Sequence, residues 1–262
     1  MNEMYVTGDT HGPKKFSFHS VDGVLPRLNT QNFPEQKTMD KTDLVFILGD
    51  FGCVWEQEES KEEKNVLDWL ENKPFTTCFI DGNHENHARL SSFPVEPWNG
   101  GNVHKIRPSV LHLMRGQVFN IGEVKIFTFG GARSHDIKDG ILDPFRDADK
   151  IRRWQKVGTK FFRINGVSWW PEEMPSQAEM DEGIQNLERN GWTVDFIMTH
   201  DCAASTKAVI TMGGFTPDEL NRYLENIKQN ATWKKWFFGH MHDNRNLPDG
   251  QCMLYEQIIR IH

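Results

Sequence analysis

Nine apolar, β-prone runs punctuate the chain, at 4–8, 43–48, 76–81, 103–106, 110–120, 124–130, 194–199, 234–239 and 252–261. Between several of them the spacing becomes helical. Residues 58–72 are charged, with Val66, Leu67 and Leu70 forming an apolar stripe. Ser176-Gln177-Ala178-Glu179 is a capping box, after which Met180, Ile184 and Leu187 line one face and Gly191 ends the helix. Thr216-Pro217-Asp218-Glu219 reads as a second such start, with Pro at the first helical position, and Leu220, Tyr223, Leu224 and Ile227 form the buried side. Strand–helix–strand order dominates both ends. The middle, 103–130, reads as antiparallel β with a hairpin turn at Gly122-Glu123. These patterns predict an α/β fold of four layers, with two mixed sheets packed face to face and helices outside. No internal repeat or linker appears, so one domain over 1–262 is expected. The link 131–193 is too long for an ordinary loop and predicts an insertion or lid-like connection.

Composition narrows the class. Apolar residues make up 37% and charged residues 26% of 262, as in a globular protein, and no apolar run approaches the ~18 residues that span a bilayer. The N-terminus enters a strand without a basic head and apolar h-region, so no signal peptide is expected. Cys53, Cys78, Cys202 and Cys252 form no CxxC pair, which predicts reduced thiols and a cytoplasmic setting. Cys53 and Cys202 are read as neighbours of the site rather than ligands. A net charge of −7 disfavours loose binding to nucleic acid or anionic membranes. It leaves room for a small phosphorylated ligand, because bound cations create their own positive field.

The chemistry lies just past the strand ends. Gly8-Asp9-Thr10-His11, Gly49-Asp50, Gly82-Asn83-His84-Glu85, Thr199-His200 and Gly239-His240-Met241-His242 each follow an apolar run. An α/β sheet delivers ligands to one edge in this way. Asp9 and His11 can turn toward one cation, Asp50 is a natural bridging oxygen, and Asn83 adds a neutral amide oxygen. His200, His240 and His242 complete a donor set suited to two divalent cations, which activate phosphoesters by clamping their oxygens and acidifying water. Such O and N donors suit Mn, Fe and Zn alike. His84 follows a ligand yet belongs to no metal pair, and a protonated imidazole there would serve the leaving oxygen.

In motif order (DxH, GD, GNHE, H, GHxH), nearly the whole chain resembles the calcineurin-like metallophosphoesterases. The resemblance implies a β-sandwich core flanked by helices. It implies Asp9, His11, Asp50 and His242 on one metal, Asp50, Asn83, His200 and His240 on the other, and His84 as general acid to direct attack by metal-bound hydroxide. The phosphoprotein-phosphatase branch has an Asp and an Arg after GD and an Arg before GNH. Here those positions are Cys53, Val54 and Asp81. The chain therefore looks more like the bacterial or phage phosphodiesterase-type branch. Asp81 and Asp201 are the candidates for orienting His84.

Gly130-Gly131-Ala132-Arg133-Ser134-His135-Asp136 leaves a core strand on the active edge, making Arg133 and His135 candidate substrate contacts. His87 is a candidate support for His84, and His19, His104, His112 and His262 read as structural or solvated. The basic, aromatic stretch 146–170 fits either a nucleotide grip or an amphipathic helix packed on the core. The acidic run Glu56–Glu63 reads as a solvated helix face. A small phosphoester or nucleotide-like molecule is the expected substrate. A nuclease with the same centre is the alternative, and a non-catalytic scaffold stabilised by metals is a third reading.

Overall fold

The computed structural model describes residues 2–13 and 22–262, so His19 lies outside the described residues. In chain order the strands are β1 (Met4–Thr7), β2 (Leu44–Leu48), β3 (Thr76–Ile80), β4 (Val95–Trp98), β5 (Gly101–Arg107), β6 (Val110–Leu113), β7 (Gln117–Ile121), β8 (Val124–Phe129), β9 (Gly140–Leu142), β10 (Phe162–Ile164), β11 (Phe196–Thr199), β12 (Lys235–Phe238), β13 (Arg245–Asn246), β14 (Gln251–Met253) and β15 (Ile258–Arg260). The helices are α1 (Val24–Arg27), α2 (Lys61–Glu71), α3 (His87–Leu90), α4 (Ala148–Val157), α5 (Gln177–Arg189), α6 (Ala204–Ile210) and α7 (Glu219–Asn230).

Two mixed sheets carry the fold. One has seven strands in the order β15-β1-β2-β3-β6-β5-β4, and the other six in the order β13-β14-β12-β11-β8-β7. Each is parallel at its centre and antiparallel at its edges. The period-2 alternation of a strand explains the layering. In β1, β2 and β3, Met4, Val6, Leu44, Phe46, Leu48, Cys78 and Ile80 point inward. They meet Ile126, Phe196, Met198 and Phe237 of the opposite sheet. The intervening Tyr5, Val45, Ile47 and Phe79 point outward under Val24 and Leu28 at α1 and Val66, Leu67 and Leu70 of α2. On the far side Phe127, Ile197, Trp236 and Phe238 pack beneath Leu187 of α5 and Leu220, Leu224 and Ile227 of α7. Both faces of these strands are dry, which is why they read as unbroken apolar runs. The four-layer α/β/β/α arrangement matches the expectation from sequence.

Some boundaries differ. The run 110–120 is two strands, β6 and β7, in different sheets. The chain changes sheets at Arg115, whose guanidinium is buried against Asp81 and Glu179. The run 252–261 likewise divides into β14 and β15, one in each sheet. The start expected at Thr216 lies at Asp218, whose side chain accepts the Asn221 N–H in a reciprocal capping box. In the acidic run the helix begins only at Lys61, and Glu63 is buried rather than solvated.

Residues 131–193 contain β9, α4, β10 and α5. Strands β9 and β10 pair in parallel, and Leu142, Ile151 and Phe162 form a small core of their own with Trp154 and Ile164. Trp154, the aromatic of α4, thus packs on this satellite cluster, not on the central core. Trp170 is buried with its ring edge-on to Trp55, while Phe145 and Phe161 are exposed. All four cysteines are free and buried. Among the described residues no helix is long and apolar enough to cross a membrane.

Candidate metal centre

Strands β1, β2, β3, β11 and β12 end on one edge of the sandwich, and each carries a predicted donor one to three residues further on. Asp9, His11, Asp50 and His242 each offer an atom, and these atoms all lie within 4.8 Å of one another. His11 Nε2 is 2.8 Å from His242 Nε2 and 3.9 Å from Asp9 Oδ2, which is itself 3.2 Å from His242 Nε2. His11 Nδ1 is 3.6 Å from Asp50 Oδ2. Next to this group, His200 Nε2 lies 3.4 Å from Asp50 Oδ1 and 3.3 Å from Asn83 Oδ1. Asp50 therefore faces both groups. Its carboxyl is held below its usual range: burial pushes it up, but His200, His84 and His11 beside it and the His84 backbone N–H outweigh that. An ionised carboxylate is the form a shared oxygen donor needs.

The local backbone is shaped for this convergence. His11, Asp50, His240 and His242 all have positive φ, between 46° and 66°. Each such residue costs roughly 1–2 kcal/mol relative to the right-handed region, a strain that clusters at functional sites. Two glycines leave the necessary space. A Cβ on Gly82 would lie 2.0 Å from Asp50 Oδ1, and one on Gly239 would lie 2.2 Å from Asp9 Oδ1. The glycine before a donor is thus part of the site, because another motif's carboxylate occupies its side-chain position.

Second contacts fix the donors. His200 Nδ1 donates to Leu48 O at 2.7 Å, which fixes the ring with Nε2 toward Asp50. The His240 backbone N–H donates to both Asp9 oxygens, at 3.0 and 3.1 Å. Its ring lies 5.0 Å from that of His200, with Nε2 at 2.8 Å from His135 Nε2. Asn83 Nδ2 donates to Ser134 Oγ (3.2 Å), and Ser134 Oγ in turn donates to Glu173 Oε2 (2.5 Å). This pair turns the amide oxygen of Asn83 inward. Tyr255 stacks on His242 at 4.6 Å and 17°.

His84 stands at the mouth, its ring 5.7 Å from that of His11, and its backbone N–H donates to Asp50 Oδ1 at 2.8 Å. Neither expected orienting group reaches it. Asp81 is engaged by Arg115 and His112, with His87 at 3.9 Å, and Asp201 is engaged by Lys207 and Asn221. The carboxylate near its imidazole is Asp136, with Oδ2 3.8 Å from Nε2. His87 serves the Asp81 cluster instead. Of the two candidate substrate residues, His135 lies at the site against His240, whereas Arg133 is half-exposed and points to Asp218 at the start of α7. A cavity of about 300 Å³ opens here, lined by His11, Gly52, Trp55 and His84.

The residues that sequence reasoning passed over had uneven signals. Ser134 and Asp136 flank His135 in a run already singled out, and Arg163 lay in the basic stretch. Glu173, Tyr255 and Trp55 carry no pattern that distinguishes them.

The donor set fits divalent metal ions. Imidazole nitrogens brought to 2.8 Å of each other can share a proton or turn their lone pairs to a common cation, and two carboxylates supply compensating charge. A two-sheet sandwich with such donors gathered at its parallel strand ends has the architecture of a metal-dependent hydrolase. Comparison with family models matches residues 4–244 to the calcineurin-like phosphoesterases, and the chain belongs to that family, whose chemistry is hydrolysis of phosphoester bonds. No curated protein matches it at the sequence level.

Proposed function

We propose that the chain hydrolyses a small or nucleotide-like phosphoester at this edge. Asp9, His11, Asp50 and His242 would hold one divalent cation, and Asp50, Asn83, His200 and His240 a second. The grouping of Asp9, His11, Asp50 and His242 carries the reading. When bound, such a pair supplies Lewis acidity to the phosphoryl oxygens and acidifies a water molecule.

The chain's own residues do the rest. His84 lines the cavity with its backbone anchored on Asp50, which supports a role for its imidazole in handing a proton to the leaving oxygen. Burial pushes its pKa down, as do Arg163 and His200, while Asp50 and Asp9 push it up. An arriving phosphate adds negative charge and favours the protonated, donating form. Trp55 gives the leaving group an apolar wall, and Glu56 and Glu58 beside it in the adjoining cleft disfavour a long polyanion.

The test is turnover of bis- and mono-p-nitrophenyl phosphate with added Mn, Fe or Zn. Activity with either ester is expected, and none at any metal loading would end the proposal. His84→Asn should retain metal and slow hydrolysis by about 10²–10⁴-fold. An unchanged rate would remove its assigned role.

One observation favours a nuclease as the second reading. Arg153, Lys156 and Lys160 are exposed close in sequence to the exposed rings of Phe145 and Phe161, a combination that suits single-stranded nucleic acid. Oligonucleotide cleavage with steep salt dependence would favour it. Small-diester turnover without oligonucleotide cleavage would exclude it.

A further inference from the structure

Strand β10 brings a guanidinium to the mouth of the site. Arg163 is three-quarters buried and pairs with Asp136 Oδ2, the oxygen that stands 3.8 Å from His84 Nε2. Asp136 Oδ1 is buried and has no hydrogen-bond partner. A carboxylate satisfied on one side only, held between an arginine and the His84 imidazole, is a poor permanent occupant of its position. We propose that Arg163 is a substrate-recognition residue that grips the phosphoryl group, and that Asp136 is its resting partner, displaced when the anion arrives. This inference rests on the phosphoesterase reading above.

The chain holds the two partners differently. Arg163 is fixed: β10 pairs with β9 in parallel, Arg163 opposite Ile141, and the neighbouring Phe162 is buried with Leu142 and Ile151. Asp136 sits in the irregular segment between β8 and β9. A loop carboxylate can swing away while the strand-borne guanidinium stays. Phosphate is the better match, because its several oxygens take the planar guanidinium fork bidentately and still leave one for His84. The small core of the 131–193 segment thereby acquires a purpose, which is to hold one cation rigidly beside the leaving-group cavity.

The experiment is calorimetric binding of inorganic phosphate to the metal-loaded full chain, with KM for p-nitrophenyl esters measured in parallel. Arg163→Ala should weaken phosphate binding and raise KM by about tenfold or more, and Arg163→Lys should recover part of the loss. Asp136→Asn should tighten phosphate binding several-fold, and that gain should vanish in the Asp136→Asn/Arg163→Ala double variant, because it acts through the freed guanidinium. Phosphate affinity unchanged in Arg163→Ala, or an Asp136→Asn gain that persists without Arg163, would overturn the proposal. If Arg163→Ala fails to fold, the Asp136→Asn arm decides alone: no gain in affinity defeats it. Failure of the wider reading is seen separately, as wild-type protein that turns over neither ester.

Discussion

His11 and His242, which are 231 residues apart, bring their Nε2 atoms to 2.8 Å with Asp9 Oδ2 3.2 Å from the second. Two neutral imidazoles that present lone pairs to each other repel unless a proton or cation lies between them. A divalent cation should therefore stabilise the fold. At free metal a hundredfold above Kd, mass action adds about 2.7 kcal/mol. Mn or Zn is expected to raise Tm, excess chelator to reverse the rise, and His242→Ala to abolish most of it. Scanning calorimetry checks this, and identical melting with metal and with chelator would contradict it.

Gly239 should tolerate no side chain. A Cβ there would stand 2.2 Å from Asp9 Oδ1 and 2.8 Å from Leu48 O, and both are held in place by the site. Gly239→Ala should cost about 1–3 kcal/mol, as overpacking does, and displace Asp9, so that tightly bound metal falls with activity. Gly122 is the control. It has φ of +60° in the β7–β8 turn, but an added Cβ would meet nothing within 4 Å. Gly122→Ala should cost only the roughly 1–2 kcal/mol of left-handed backbone strain and leave metal content unchanged. Metal analysis and urea unfolding of the two variants separate steric conflict at the site from simple backbone strain.

The layers and the converging strand ends were legible because both follow from local pattern. Unbroken apolar runs marked doubly buried strands, and a donor just past each run marked the shared edge. Residues whose role depends on distant partners were not legible. Arg115 interrupts 110–120 because it reaches Asp81, and nothing in its neighbourhood announces that the chain changes sheets there. The cap at Asp218 prevailed over Thr216 because its carboxylate and Asn221 satisfy each other's backbone N–H groups. Ser134 and Glu173, 39 residues apart, meet only because the 131–193 segment folds back on the strand ends.

That pair supports a third prediction. Ser134 accepts from the Asn83 amide and donates to Glu173, so its hydroxyl decides which way the amide points. Ser134→Ala removes no proposed ligand, yet it frees Asn83 to rotate. Loss of such an outer partner typically lowers metal affinity about 10–100-fold. Metal titration of Ser134→Ala should show one of two binding steps weakened by this amount and the other kept. Equal weakening of both, or of neither, would argue against a separate Asn83-bearing site.

Glu63 joins the segment carrying Trp55 to α3. Its carboxylate accepts from the backbone N–H groups of Trp55 and Glu56 and from Arg89 Nη1 at 2.6 Å. Burial pushes its pKa up, but Arg89 and the two amides outweigh that and hold it below the usual value. Between the folded and unfolded pKa values the unfolded chain binds more protons, so stability rises with pH there. The contribution is fully present above the unfolded value of about 4.3 and is lost as pH falls through the folded one. Glu63→Gln keeps the shape and removes the charge, and should cost about 1.5–3 kcal/mol at pH 7, the range for a hydrogen bond to a charged group. The gap between wild type and variant should narrow below about pH 4, as the wild-type carboxylate is itself neutralised. Urea midpoints at pH 7 and in the acid range measure both quantities. A gap that persists undiminished in acid would place the stabilisation in packing, and the carboxylate charge would then not be what ties Trp55 to the helix.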